Sequence, residues 1–220
     1  MCPPSSSSLS RRGLLTAAAL GAAGRGAATT TGETTGTNSG SVPELRWSVR
    51  DDEAELVYPP TVDGGLAHAV VRYPTSSGFE EHSEGAEMHA FDVDSGETKW
   101  TKALGGFGAF HEQGGGRVYA VGTVRDDDQT TATLYALDAA DGTEQWTFET
   151  GAWVRSSPVV VDETVYVTSQ DNNLYALAAA TGEERWAYEI GAPLVGSPAV
   201  ADGTVYLGTA DNALAALREA

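Results

Sequence analysis

Cysteine is almost absent from this chain. Cys2 is the only one in 220 residues, and it precedes the uncharged run from Gly13 to Gly24. A lipoprotein anchor needs a cysteine just after such a run, so the sequence offers none. Once the N-terminal segment is removed the chain has no thiol, which excludes disulfides, metal thiolates and a cysteine nucleophile. Lysine is scarce as well: Lys99 and Lys102 are the only two, and 13 basic residues face 31 acidic ones, a formal charge of −18. A surface of that sign repels phosphate, so neither nucleic acid nor an anionic membrane is expected as a partner. Helical periodicity is missing too. After residue 43 no stretch keeps apolar spacing at i, i+3 and i+4 over ten residues, and an α-helical solenoid is excluded. Gly-x-Ser-x-Gly, phosphate-loop and His-Glu-x-x-His motifs are absent, so no reaction is legible.

What is present repeats. Gly96-Glu-Thr-Lys-Trp100, Gly142-Thr-Glu-Gln-Trp146 and Gly182-Glu-Glu-Arg-Trp186 each follow an apolar strand-like run, and Trp47 is an earlier member. The four tryptophans are spaced by 53, 46 and 40 residues. A period near 40 marks a repeat architecture, in which each unit needs its neighbours to bury its faces. The last two units align without a gap: Ser157-Pro158 falls on Ser197-Pro198, Val165-Tyr166 on Val205-Tyr206, and Asp171-Asn172 on Asp211-Asn212. Within a unit, short β-prone runs meet turn residues, which describes a four-stranded antiparallel meander. Asp202-Gly203 is the strongest hairpin signal, since a type I′ turn needs positive φ at both central positions. A single meander has two apolar faces, and packing copies radially covers both. The expected fold is all-β: a propeller of about four four-stranded antiparallel blades, with units near 50–100, 101–146, 147–186 and 187–220.

The first two units are looser. Unit one carries an insertion from Pro74 to Glu87, and unit two a shorter one around Asp126-Asp-Asp128. Insertions in the same connection of adjacent blades project from one side, where function is expected.

The pattern Leu-Tyr-Ala-Leu-x-x-x-[Thr/Asp]-Gly-x-x-x-Trp, followed by Gly and then Ser-Pro-x-Val-x-Asp, resembles the pyrroloquinoline-quinone (PQQ)-like β-propeller repeat over roughly residues 44–220. Quinoprotein dehydrogenases carry that repeat, as do non-enzymatic relatives of the BamB-type assembly lipoproteins. The resemblance implies that Trp47, Trp100, Trp146 and Trp186 lie on outer strands and dock against the next blade, with Gly96, Gly142 and Gly182 at the repeated turn. It also implies eight blades for a PQQ- and calcium-binding dehydrogenase, with the cofactor on the axis. This chain has about four units and no Asp/Glu/Asn cluster that maps onto such a site, so neither PQQ nor calcium is expected.

The N-terminus reads as an export signal. Ser10-Arg11-Arg12-Gly13-Leu14-Leu15 resembles the twin-arginine pattern, and the run behind it is too short and too rich in Ala and Gly to span a bilayer. Residues 1–28 are read as this signal, with cleavage near Gly24–Ala28. Residues 29–43, mostly Thr, Gly and Ser, are read as a flexible tether. Removing Arg11, Arg12 and Arg25 leaves 31 acids against 10 bases, a charge of −21. So acidic and lysine-poor a composition resembles proteins of extreme halophiles, where molar salt screens self-repulsion.

Other polar clusters read blandly. Glu80-Glu-His-Ser-Glu-Gly-Ala-Glu-Met-His89 holds two imidazoles and four carboxylates, but seven residues separate His82 from His89, which matches no zinc spacing. It is read as a solvated acidic loop. Asp126-Asp-Asp128 lacks the alternating ligands of a calcium loop and is read as a charged turn. Asp171-Asn-Asn173 recurs at Asp211-Asn212, as turn geometry requires. His68 and His111 are read as structural or exposed. The function expected is an exported, non-catalytic scaffold for an unidentified protein partner, extracellular or at the cell surface, with a degenerate quinoprotein-like ligand binder as the alternative. Finally, Glu44–Val49 reads as an outer fourth strand, and Ser197–Arg218 as three strands of a blade. Leu45–Val49 is therefore expected beside Leu214–Arg218, within one four-bladed chain or between two chains forming a homodimeric eight-bladed ring.

Overall fold

A computed structural model of the chain describes residues 16–19, 45–74, 85–106, 111–126, 129–194 and 196–218. Every regular element among them is a strand. A short pair comes first, β1 (Thr16–Ala19) against β2 (Trp47–Arg50). Blade I follows. Its inner strand is broken at Pro59-Pro60 into β3 (Leu56–Val57) and β4 (Thr61–Asp63), because proline has no N–H to give the ladder. Both pieces pair with β5 (Leu66–Arg72), which pairs with β6 (Ala86–Asp92), and β7 (Thr98–Ala103) closes the blade.

Blade II is β8 (His111–Gly114), β9 (Arg117–Asp126), β10 (Gln129–Asp138) and β11 (Glu144–Thr150). Blade III is β12 (Val159–Val161), β13 (Thr164–Thr168), β14 (Asn173–Ala178) and β15 (Glu184–Glu189). Blade IV has β16 (Ala199–Ala201), β17 (Thr204–Gly208) and β18 (Leu214–Arg218). Within each blade the strands are neighbours in sequence order and antiparallel. The all-β blade reading from the sequence holds.

The first hairpin of every blade uses the same turn. Its two central residues have positive φ at Gly64–Gly65, Gly115–Gly116, Asp162–Glu163 and Asp202–Gly203. That is the type I′ signature, whose twist matches the strands it joins. Asn172 and Asn212 also have positive φ, at 75° and 67°, which accounts for the recurring Asp-Asn as turn chemistry.

Packing runs between blades. Val70, Met88 and Leu104 of the first blade meet Val118, Ala120 and Leu137 of the second in one buried cluster. Leu134 and Trp146 meet Val165 and Leu177 in the next, and Tyr166 and Leu174 meet Val205 and Leu207 in the third. β13 is therefore buried at all five positions while the outer β15 is mostly exposed. A strand sandwiched by two neighbours loses the in/out alternation of a one-faced sheet.

Three expectations need correction. Ala86 and Glu87 pair with Arg72 and Val71, so the insertion in blade I spans only the connection between Arg72 and Ala86. His89 lies in β6 at 2% exposure and not in a solvated loop; the rest of that acidic segment, Glu80 to Glu84 with His82, lies outside the described residues. Asp126 belongs to a ladder, paired opposite Gln129, so blade II is enlarged by lengthening β9 and β10 to ten residues each. Asp127 and Asp128 lie outside the described residues. As to closure, β2 pairs with β1 in this chain, and β18 pairs only with β17 among the described residues.

Candidate functional site

Two kinds of position compete for the role of functional site: those the repeat uses to hold blades together, and those it does not use. The joints come first. Each of the first three blades sets one residue row across three strands, His68–Ala90–Trp100, Tyr119–Ala136–Trp146 and Tyr166–Ala176–Trp186. The central alanine is small, so the flanking rings lean together over it, with centroids 5.4, 5.8 and 6.0 Å apart. A register shift follows that alanine in all three blades and leads the chain into its glycine turn.

The row then reaches the following blade. Trp100 Nε1 donates to the Ala139 carbonyl at 3.1 Å, and His68 Nε2 meets the same oxygen at 2.8 Å. Trp146 Nε1 donates to the Ala179 carbonyl at 3.0 Å, and the Tyr119 hydroxyl donates to it at 3.2 Å. Trp47 Nε1 donates to the Val93 carbonyl at 2.8 Å. A carbonyl has two lone pairs, so one oxygen satisfies both ring donors of the preceding blade. Each indole also lies on the bare α-carbon of a turn glycine. A Cβ on Gly96, Gly142 or Gly182 would fall 2.8, 2.6 and 2.6 Å from the rings of Trp47, Trp100 and Trp146. Trp186 packs with Tyr166 inside the cluster between blades III and IV.

His68 is fully buried, and burial lowers its pKa from 6.5. The neutral ring with its proton on Nε2 is the form that donates to Ala139. Lys102 and Glu144 add a surface ion pair at 2.9 Å between blades I and II, a minor contribution at half-exposed positions.

The second kind of position lies at one end of the blades. In an antiparallel meander the connection from second to third strand and the connection to the next blade emerge at the same end. Both sequence insertions fall in the former. At this end of blade I the Tyr73 hydroxyl donates to Asp51 Oδ2 at 2.9 Å, with His89 Nε2 3.5 Å away and Glu87 Oε2 3.3 Å from His89. Burial and then the Asp51 carboxylate push the Tyr73 phenol well above its ordinary range. In blade III, Asp171 accepts from the Gly151 amide at 2.9 Å and the Tyr175 hydroxyl at 2.8 Å, tying the incoming connection to the turn. Burial, with Asp171 second, raises the Tyr175 pKa as well. Ser156 and Thr168 hydroxyls lie 2.7 Å apart, and Thr168 donates to the Gly196 carbonyl at 2.9 Å. These bonds fix the loops. Among the described residues they form no group of three or more His, Cys, Asp or Glu that could hold a metal ion.

One residue pair at this end has no part in the repeat. Arg155 lays its guanidinium on the Trp153 ring at 4.6 Å. The backbone of 153 does follow the repeat: its carbonyl accepts from Gln170 N at 2.8 Å, as the Pro193 carbonyl accepts from Ala210 N at 2.9 Å. Blade IV thus makes the same bond with a proline, and the indole is surplus to blade construction. Sequence reasoning passed over Trp153. The signal was available, since Trp153 follows Trp146 by only seven residues and stands outside the series Trp47, Trp100, Trp146 and Trp186.

On the innermost strands the described residues carry two acids, Asp63 and Glu112, among mainly aliphatic positions such as Val62, Val160 and Val200. A calcium site takes six to eight oxygen ligands. The donor set there does not fit a calcium-bound quinone.

In sequence, no curated protein matches the chain. Among solved structures, BamB from Moraxella catarrhalis matches at 22% identity and a TM-score of 0.50, covering 68% of this chain and 42% of that one. The chain thus spans less than half the length of that relative. The computationally designed proteins Ika4 and Ika8 match at 9% and 10% identity with TM-scores of 0.54 and 0.53. They cover 74% and 73% of this chain, which covers 91% and 45% of theirs. At such identities the likeness is one of fold. The family model described as outer membrane protein assembly factor BamB matches residues 44–159 and 130–220, so nearly all the blade-forming sequence is accounted for. The chain belongs to this BamB-type family of PQQ-like β-propeller repeats.

Proposed function

We propose that this chain is an exported, non-catalytic propeller that serves as a protein-interaction scaffold at the cell surface, and that Trp153 and Arg155 anchor its partner. The observation that carries the reading is the Arg155–Trp153 stack at 4.6 Å, on a connection between blades II and III and outside every repeated contact. Tryptophan and arginine dominate the energetics of protein interfaces, because each offers a large, stiff contact surface. Arg155 is also one of few cations on a strongly acidic chain, so it gives a partner a distinct electrostatic address. Export rests on the Arg11-Arg12 pattern and the uncharged run behind it. Among the described residues no helix is long and apolar enough to cross a membrane. The experiment is affinity capture from envelope extract in molar salt with the unmodified chain, Trp153→Ala and Arg155→Glu. A partner held by the unmodified chain and lost from both variants, at unchanged melting temperature, supports the scaffold. Saturable quinone absorbance with added PQQ and calcium contradicts it.

A further inference from the structure

The joint between blades I and II differs from the next two in one matched pair of residues. His68 stands in its row where Tyr119 and Tyr166 stand in the rows of blades II and III. The innermost strand of the following blade meets each row. Opposite Val118 that strand carries Gln113, while opposite Val165 and Val205 it carries Val160 and Val200. Val160 packs on the cluster that holds Tyr119, and Val200 on the one that holds Tyr166. A tyrosine is therefore met by valine from the next blade, and the histidine by glutamine.

The chemistry of the two rings accounts for the pairing. A tyrosine has one polar atom, and Tyr119 spends its hydroxyl on the Ala179 carbonyl. The rest of its ring is carbon, which valine suits. An imidazole has a second polar atom. His68 Nε2 lies 2.8 Å from the Ala139 carbonyl, which only accepts, so Nε2 carries the proton and Nδ1 of the neutral ring is an acceptor. The Gln113 side chain is the hydrogen-bond partner of this ring. Both ends of its amide are buried, and neither is committed to another group among the described residues. Such an amide is free to turn over, which exchanges a donor nitrogen for an acceptor oxygen.

We infer that Gln113 serves His68 in both charge states: its nitrogen donates to Nδ1 of the neutral ring, and its oxygen, with the amide turned over, accepts from Nδ1–H of the protonated one. The joint between blades I and II thereby takes up a proton without opening. A buried Nδ1–H of a charged ring with no acceptor would carry the full cost of its lost hydration. Burial works against the protonated ring, and Gln113 works for it, as does the negative charge of Asp63 on β4. The other charged groups on the strands around it are Asp92, Lys102, Glu112, Arg117 and Asp138. Of these, Lys102 is held by Glu144 and Asp92 by Lys99. The inference goes beyond the scaffold reading and does not depend on the partner of Trp153.

Nuclear magnetic resonance of the full chain in molar NaCl tests it, with nitrogen-labelled histidine and the His68 signals identified by their loss in His68→Tyr. In the unmodified chain the ring should pass from the Nε2-protonated form to the doubly protonated form as pH falls. The Trp100 indole N–H shares the Ala139 carbonyl, so it reports on the joint. Through that change it should keep its protection from exchange relative to the Trp146 indole. Gln113→Val places at this joint the residue found at the other two. It should lower the midpoint of the His68 change, and Trp100 should lose protection as the ring charges. An unmoved or raised midpoint in Gln113→Val, or loss of Trp100 protection in the unmodified chain, overturns the inference. Melting in the same salt gives a second test that survives poor folding of one variant. His68→Tyr/Gln113→Val rebuilds the tyrosine–valine joint and should melt above either single variant. A double variant in which the two single losses simply add overturns the pairing.

Discussion

The indole of Trp146 rests on the bare α-carbon of Gly182, so closely that a single added Cβ would stand 2.6 Å from the ring. Gly182 also has φ of 75°, where side chains are strained. The pair therefore couples two blades through contact and through backbone geometry. Trp146 is 9% exposed, and Trp146→Ala should destabilise by about 3–5 kcal/mol, the usual cost of truncating a large buried aromatic. Gly182→Ala should destabilise as well, and less when Trp146 is already Ala, because the clash is then gone while the φ cost remains. Denaturant melts of the two single variants and the double variant give the coupling energy. Strict additivity would show that the ring and the glycine do not act together.

Glu163 is the one non-glycine residue at the second position of the four type I′ turns, with φ of 63°. The other three blades place Gly65, Gly116 and Gly203 there. Glu163→Gly should stabilise by about 1 kcal/mol by removing a left-handed side-chain penalty, a rise in melting temperature of about 2–4 °C for a domain of this size. Thermal melts decide it. A fall would place a side-chain contact of Glu163 above its backbone cost.

His68 makes the first joint sensitive to acid. Burial holds its pKa below 6.5 in the folded chain, so the unfolded chain takes up the proton first as pH falls. The stability this group contributes is present above pH 6.5 and is lost as pH drops towards the folded value. Between pH 7 and pH 5 the unmodified chain should lose more stability than His68→Gln, which has no imidazole to charge. Parallel pH dependence would show that His68 titrates alike in both states.

The chain, at −18, should require salt. Dialysis to dilute buffer should abolish its β-sheet circular dichroism, and molar KCl or NaCl should restore it, because screening shortens the range of like-charge repulsion. Equal stability in dilute buffer would give the acidic bias another cause.

The sequence displays what recurs and hides what occurs once. Turn residues, the small alanine between two rings and the Gly-x-x-x-Trp phrase answer to local backbone geometry, and each blade repeats the demand, so they are legible. His89 reads as a loop residue because acids surround it; it is buried in β6 beside Tyr73, sixteen residues earlier in the chain, which only the folded blade brings near. The lengthened β9 and β10 read as a charged insertion because strand length at a hairpin tip leaves little trace in polar text. Trp153 escaped notice for the opposite reason: attention to the period passes over a residue outside it.

The division between repeated and unrepeated tryptophan is the centre of this account, and one paired comparison tests it. Trp146→Ala and Trp153→Ala are each measured for melting temperature and for retention of the envelope partner in molar salt. The account predicts a large loss of stability for Trp146→Ala, and for Trp153→Ala an unchanged melt with the partner lost. A Trp153→Ala chain that melts early, or one that keeps its partner at full yield, contradicts it.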